Sequence, residues 1–108
     1  MSLCADPPIL NASASGGHYI HKLITGGPQR IMFKLKCSNN ADYRINPVWG
    51  FIDGYGSTDI AIDRSAGPPR EDKIIIMYAF APADATNAHD AFVGLKEHGR
   101  ITMPISAI

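Results

Sequence analysis

The sequence predicts an all-β domain, a single antiparallel β-sandwich spanning residues 1–108. Three observations carry that prediction. Turn-forming residues recur at short intervals: Gly16-Gly17, Gly26-Gly27-Pro28, Asn39-Asn40, Asp53-Gly54, Gly67-Pro68-Pro69, Pro82 and His98-Gly99. The segments between them are strand-length, and several alternate apolar and polar residues with the period of two that sends successive side chains to opposite faces of a sheet. Helical spacing appears only over residues 83–93.

Taken along the chain, Ala5 to Leu10 and His18 to Thr25 make the first strand pair. Two prolines interrupt the former and the latter alternates poorly, so its register stays open. In residues 29–37, Ile31, Phe33, Leu35 and Cys37 share one face while Met32, Lys34 and Lys36 share the other. This is a half-buried strand with a basic outer face. Asp59 to Asp63 alternates again, with Ile60 and Ile62 inward. The run Ile74 to Phe80 is short, β-branched and stopped by Pro82, which reads as a central strand lying deepest in the sandwich. Ala85, Ala88 and Phe92, behind the candidate caps Asp84 and Thr86, allow one or two helical turns. Ile101, Met103 and Ile105 alternate with Thr102, Pro104 and Ser106, and because proline lacks a ladder N–H this strand is expected to be irregular or at an edge. Roughly seven short strands with turns every 8–12 residues describe a seven-stranded immunoglobulin-like sandwich.

Ten Lys plus Arg balance ten Asp plus Glu, so net charge is zero, and no basic run is present. That argues against nucleic-acid binding, which is driven by neutralising many phosphates at once. The longest apolar run, Ile74 to Ala81, is far below the roughly 18 residues that cross a bilayer. The first eight residues lack a basic n-region and an apolar h-region, so the expected compartment is the cytoplasm.

Cys4 and Cys37 are expected as free thiols in that setting, with Cys37 a small core residue. His18, His21, His89 and His98 never fall in H-x-H or H-x3-H spacing, and the first two point to opposite strand faces, so no metal site is expected. Gly54-Tyr55-Gly56 reads as a tight turn, since it lacks the Gly-Lys-Ser/Thr of a phosphate loop. The carboxylates stand at turns and strand ends, and no nucleophile, base and orienting group can be assembled, so neither catalysis nor a cofactor is expected. A single Trp in a small sandwich, here Trp49, is expected in the core. The Lys34 and Lys36 face, its charges about 7 Å apart along the strand, is the most suggestive polar feature.

Phe33-Lys34-Leu35-Lys36-Cys37-Ser38-Asn39-Asn40 followed by Tyr43-Arg44-Ile45-Asn46-Pro47-Val48-Trp49-Gly50 resembles the F-K-x-K-x-[ST]-[NA] and Y-x-[VI]-x-P-x-x-G signature of the major sperm protein (MSP) domain. Asp72 to Ile76 resembles that domain's next core strand, and Met103-Pro104-Ile105 its closing one. His21-Lys22-Leu23, Glu71-Asp72-Lys73 and Ala81 to Thr86 are similar to stretches of the small single-domain sperm-specific proteins of nematodes. The resemblance implies a seven-stranded MSP/PapD-like sandwich and a non-enzymatic cytoplasmic protein of nematode sperm. Its implied place is structural or regulatory, in the MSP-based motility cytoskeleton.

The implied partners are MSP or filament factors, with the chain itself a monomer or weak homodimer. The family's other branch, the VAP proteins, uses the same domain to bind acidic peptide motifs beside a membrane anchor. Here the chain stops at Ile108, so no anchor is expected. Carried over residue by residue, the VAP peptide site falls on Lys34, Lys36, Ser38 and Lys73. Cys37-Ser38 stands where VAP proteins have Thr-Thr, and Ile75 stands where they often have Met. The alternative function is thus a soluble adaptor that captures acidic segments on its basic strand face.

Overall fold

In a computed structural model, described for residues 3–82, 84–87 and 99–108, the chain forms two β-sheets packed face to face. The strands are β1 (Leu3–Asp6), β2 (Leu10–Ala12), β3 (Gly17–Thr25), β4 (Ile31–Cys37), β5 (Tyr43–Asn46), β6 (Trp49–Ile52), β7 (Ser57–Arg64), β8 (Arg70–Phe80) and β9 (Gly99–Ala107). One sheet has the order β1-β3-β7-β5 and the other β2-β9-β8-β4-β6.

These nine segments reduce to the seven expected. β1 and β2 are halves of one run that leaves the first sheet at Pro7 and joins the second at Leu10; β5 and β6 are halves of another, which crosses at Pro47. Proline cannot donate to a ladder, so the chain changes sheets where pairing would fail. Both crossings carry a cis X–Pro bond. Because the first run keeps its direction as it crosses, it meets β3 antiparallel and β9 parallel.

The alternation read in the sequence places the core. Ile31, Phe33, Ile60, Ile62, Ile74 and Ile76 are fully buried between the sheets, and β8 is the middle strand of five. Gly50 of β6 sits opposite Phe33, and a Cβ there would come within 2.6 Å of the Phe33 ring, so glycine leaves the ring its place in the core. The open register of the first strand pair runs from Leu3 opposite Thr25 to Asp6 opposite Lys22. Pro104 pairs with Lys73 of β8, while β2 begins only opposite Ile105, so its missing N–H faces a side of β9 with no strand among the described residues. β9 is therefore an edge at Pro104 and an interior strand beyond it.

The outer face of the second sheet is less polar than its lysines suggest. Met32 is completely buried there with Met77 and Ala79, and Trp49 and Phe51 pack against them. Trp49 is thus a half-buried residue of the outer face, not of the core. Its strand parity explains this: Trp49 and Phe51 lie opposite Lys34 and Met32, while Gly50 and Ile52 face inward. Gly54-Tyr55-Gly56 forms the expected turn, in which the Tyr55 N–H donates to Gly27 O at 2.8 Å. Of the helical stretch, residue 83 and residues 88–93 lie outside the described residues, and Asp84 to Asn87 carry no helix. No helix among the described residues is long and apolar enough to cross a membrane.

Candidate functional site

The site grows from the end of β4. Lys34 and Lys36 point to the outer face, and in the β4–β8 register Lys36 lies opposite Ile75. Lys73 stands two residues before Ile75 and shares its side of β8. Past Cys37 the strands stay joined through Ser38, whose N–H donates to Lys73 O and whose Oγ accepts from Lys73 N–H, both at 3.0 Å. The fold thus brings Lys34, Lys36, Ser38 and Lys73 to one corner. Two of the four are already engaged. The Lys34 ammonium sits 4.6 Å from the centre of the Trp49 ring, and the Ser38 hydroxyl donates to Asp72 Oδ1 at 2.9 Å.

Asp72 anchors this corner from below. Its side chain is 1% exposed and meets Arg70 Nη2 at 3.0 Å in addition to Ser38, while Asn39 Nδ2 donates to its second oxygen at 3.2 Å. Asn39 also donates to Asp42 Oδ2 and accepts from the Asp42 N–H, closing the turn between β4 and β5. The buried carboxylate is fully partnered, which is the condition under which burial of a charge is tolerated.

Beside the corner lies a groove of about 520 Å³. β6 pairs with β4 only as far as Leu35, whose N–H donates to Val48 O at 2.9 Å. Beyond that point, among the described residues, no strand lies on the second side of Lys36 and Cys37 or on the outer edge of β5, the last strand of the other sheet. The crossing at Pro47 splays these two edges apart. Leu35, Tyr43, Ile45 and Val48 supply an apolar lining, Cys37 and Asn40 line one end, and Lys36 and Arg44 supply the charge. Among the described residues no carboxylate lines it. Burial pushes the Cys37 thiol and the Tyr43 phenol above their ordinary values, so both are neutral at physiological pH.

Elsewhere Lys22 pairs with Asp59 and Arg30 with Asp53, and the His18 ring is bound to Asp63. Arg64, inward by continuation of the Ile60 and Ile62 alternation, is buried over the Tyr43 ring and donates to Pro68 O. Among the described residues, Lys36, Arg44 and Lys73 make no ion pair. Arg44, Val48 and Asp72 were not marked by sequence reasoning. Parity alone would turn Arg44 outward from Tyr43 and Ile45, but nothing in the spacing says that β5 and β4 face each other across a groove. Cys4 is exposed and Cys37 half-buried, both free. No cluster of metal-ligating side chains occurs among the described residues.

Two sheets joined by proline crossings define an immunoglobulin-like sandwich with a basic groove at one edge. The chain belongs to the MSP (major sperm protein) domain family, whose model matches residues 3–100. It is 53% identical over 107 residues to sperm-specific class P protein 10 of Caenorhabditis elegans, covering 99% of this chain and 98% of that protein. The solved structure of SSP-19, an MSP-domain-like family member of the same organism, superposes with a TM-score of 0.95 at 51% identity, covering 97% and 98% of the two chains. WR4, another C. elegans MSP family member, gives 0.94 at 40% identity, covering 98% of this chain and 97% of WR4. At the level of fold alone, the E. coli chaperone DraB matches with a TM-score of 0.61 at 17% identity.

Proposed function

We propose that this sperm MSP-domain protein is a non-enzymatic interaction module of the cytoplasm, working on or beside the MSP-based motility cytoskeleton by holding an acidic segment of a partner protein. The observation that carries the reading is the gathering of cations without carboxylate partners, Lys36 and Arg44 lining one groove and Lys73 at the corner beside it, while Lys22, Arg30 and Arg70 have theirs. A solvated face of mixed charge would scatter its unpaired groups. Each exposed contact contributes about 1 kcal/mol or less, so binding depends on several acting together and weakens as salt shortens the Debye length to about 8 Å and below. The chain acts as a monomer or weak homodimer, which light scattering at high concentration checks.

The test is capture from nematode sperm cytosol by the parent and by a Lys36→Glu, Lys73→Glu variant, with Asp59→Lys as control. These positions are chosen because Lys34 is engaged with Trp49. Salt-sensitive recovery of MSP or filament factors by the parent and the control, lost with the double variant, supports the reading. Equal recovery by the double variant overturns it. The second reading, an adaptor independent of filaments, is favoured by the same groove and is supported instead if the captured proteins share an acidic segment and exclude MSP.

A further inference from the structure

The groove has a second basic wall, and it comes from the other sheet. Arg44 on β5 lies opposite Asp63 of β7, which in turn lies opposite His18 of β3, so the three form a row across the outer face of the first sheet. Asp63 would be the natural ion-pair partner of Arg44. It is bound to the His18 ring instead. Arg44 turns away, and its Nη1 donates to Asn40 O at 2.6 Å and, more weakly, to Tyr43 O at 3.5 Å. Both acceptors are backbone carbonyls at the groove end. Nε and Nη2, the donors along one edge of the planar guanidinium, have no partner among the described residues.

We infer that Arg44 is a specificity-determining residue of this groove: it takes a carboxylate of an extended acidic segment side-on through Nε and Nη2, opposite Lys36 on the β4 wall. The inference rests on the acidic-segment reading above and names the residue that selects within it. Charge complementarity fixes the occupant, because among the described residues the groove carries two cations on opposing walls, an apolar lining between them and no acid. The anchored Nη1 fixes the plane of the guanidinium before binding, so less side-chain freedom is lost when the carboxylate docks. Lysine would supply the charge without the paired, coplanar donors. Arg44 and Lys36 therefore differ in kind: one recognises geometry and the other attracts.

Fluorescence anisotropy with a labelled peptide of about ten residues, alternating glutamate and valine so that its acids fall on one face when extended, tests this. Arg44→Gln is expected to weaken binding about tenfold or more and Arg44→Lys about fivefold, in line with the loss of a bidentate charged pair. Lys22→Gln removes the same charge from an exposed pair with Asp59 and is expected to change affinity less than about twofold. A glutamine-for-glutamate peptide is expected not to bind. Should Arg44→Lys bind as tightly as the parent, the guanidinium geometry is irrelevant and the inference fails while the acidic-segment reading stands. Failure of the parent to bind the glutamate peptide overturns both. Thermal melts of each variant establish that the folded protein is being compared.

Discussion

Lys34 and Lys36 share a face and a charge, yet their surroundings separate them. Lys34 rests on the Trp49 ring, whereas Lys36 reaches the groove. Lys34→Ala is expected to lower unfolding stability by about 0.5–1 kcal/mol through the lost cation–π contact, and Lys36→Ala to stay within about 0.5 kcal/mol of the parent. Urea titrations of the two variants check this; equal midpoints would show that the ring contact contributes nothing. The two thiols separate in the same way. Cys37 is half-buried with its Sγ directed at Asn39 O, and burial raises its pKa above 9.0, while Cys4 is exposed. Timed alkylation near pH 8 without reductant is expected to modify Cys4 first and Cys37 slowly, because the thiolate is the reactive form. Matching rates would place Cys37 outside the packed region.

At the scale of elements, the turn between β4 and β5 is held by one carboxylate. Ser38, Asn39 and Arg70 all converge on Asp72, which joins this turn to the start of β8 and fixes Lys73 beside Lys36. Asp72→Ala removes the common acceptor and leaves the Asn39 amide without one of its two partners. A loss of about 2–3 kcal/mol is expected, together with faster hydrogen exchange confined to residues 38–42 and 73. Exchange that quickens evenly over the whole second sheet would mean that Asp72 stabilises the sandwich in general and not this corner. The β4 alternation itself was readable from Ile31 to Cys37. What went unread at this scale is that Met32, on the supposedly basic face, is completely buried. Its cover comes from β6 and β8, strands distant in sequence, and a period of two says which side a residue faces but not what covers that side.

For the molecule as a whole, alkaline pH is the informative variable. Cys37 and Tyr43 both have folded pKa values above their ordinary 9.0 and 10.0, burial being the largest cause in each case. The unfolded chain therefore releases these protons at lower pH than the folded one. By linkage, their contribution to stability is complete below pH 9.0 and is lost as pH rises through the folded values. The melting temperature is expected to fall from about pH 9 upward, and Tyr43→Phe to flatten the upper part of that fall. An unchanged slope in Tyr43→Phe would show that the phenol does not carry it.

The sandwich, the inward faces of β4, β7 and β8, the turn at Gly54 and the family were legible in the residues alone. Each of these depends on residue type and on spacing within one segment. Lys34, Lys36, Ser38 and Lys73 were legible too, through a motif contained in two neighbouring strands. Packing between the sheets ties Lys34 to Trp49, spends Ser38 on Asp72 and brings Arg44 to complete the basic groove. Those outcomes depend on where the chain changes sheets at Pro7 and Pro47 and on which strand edges are left open, and such pairings between distant segments leave no periodicity in the sequence to read.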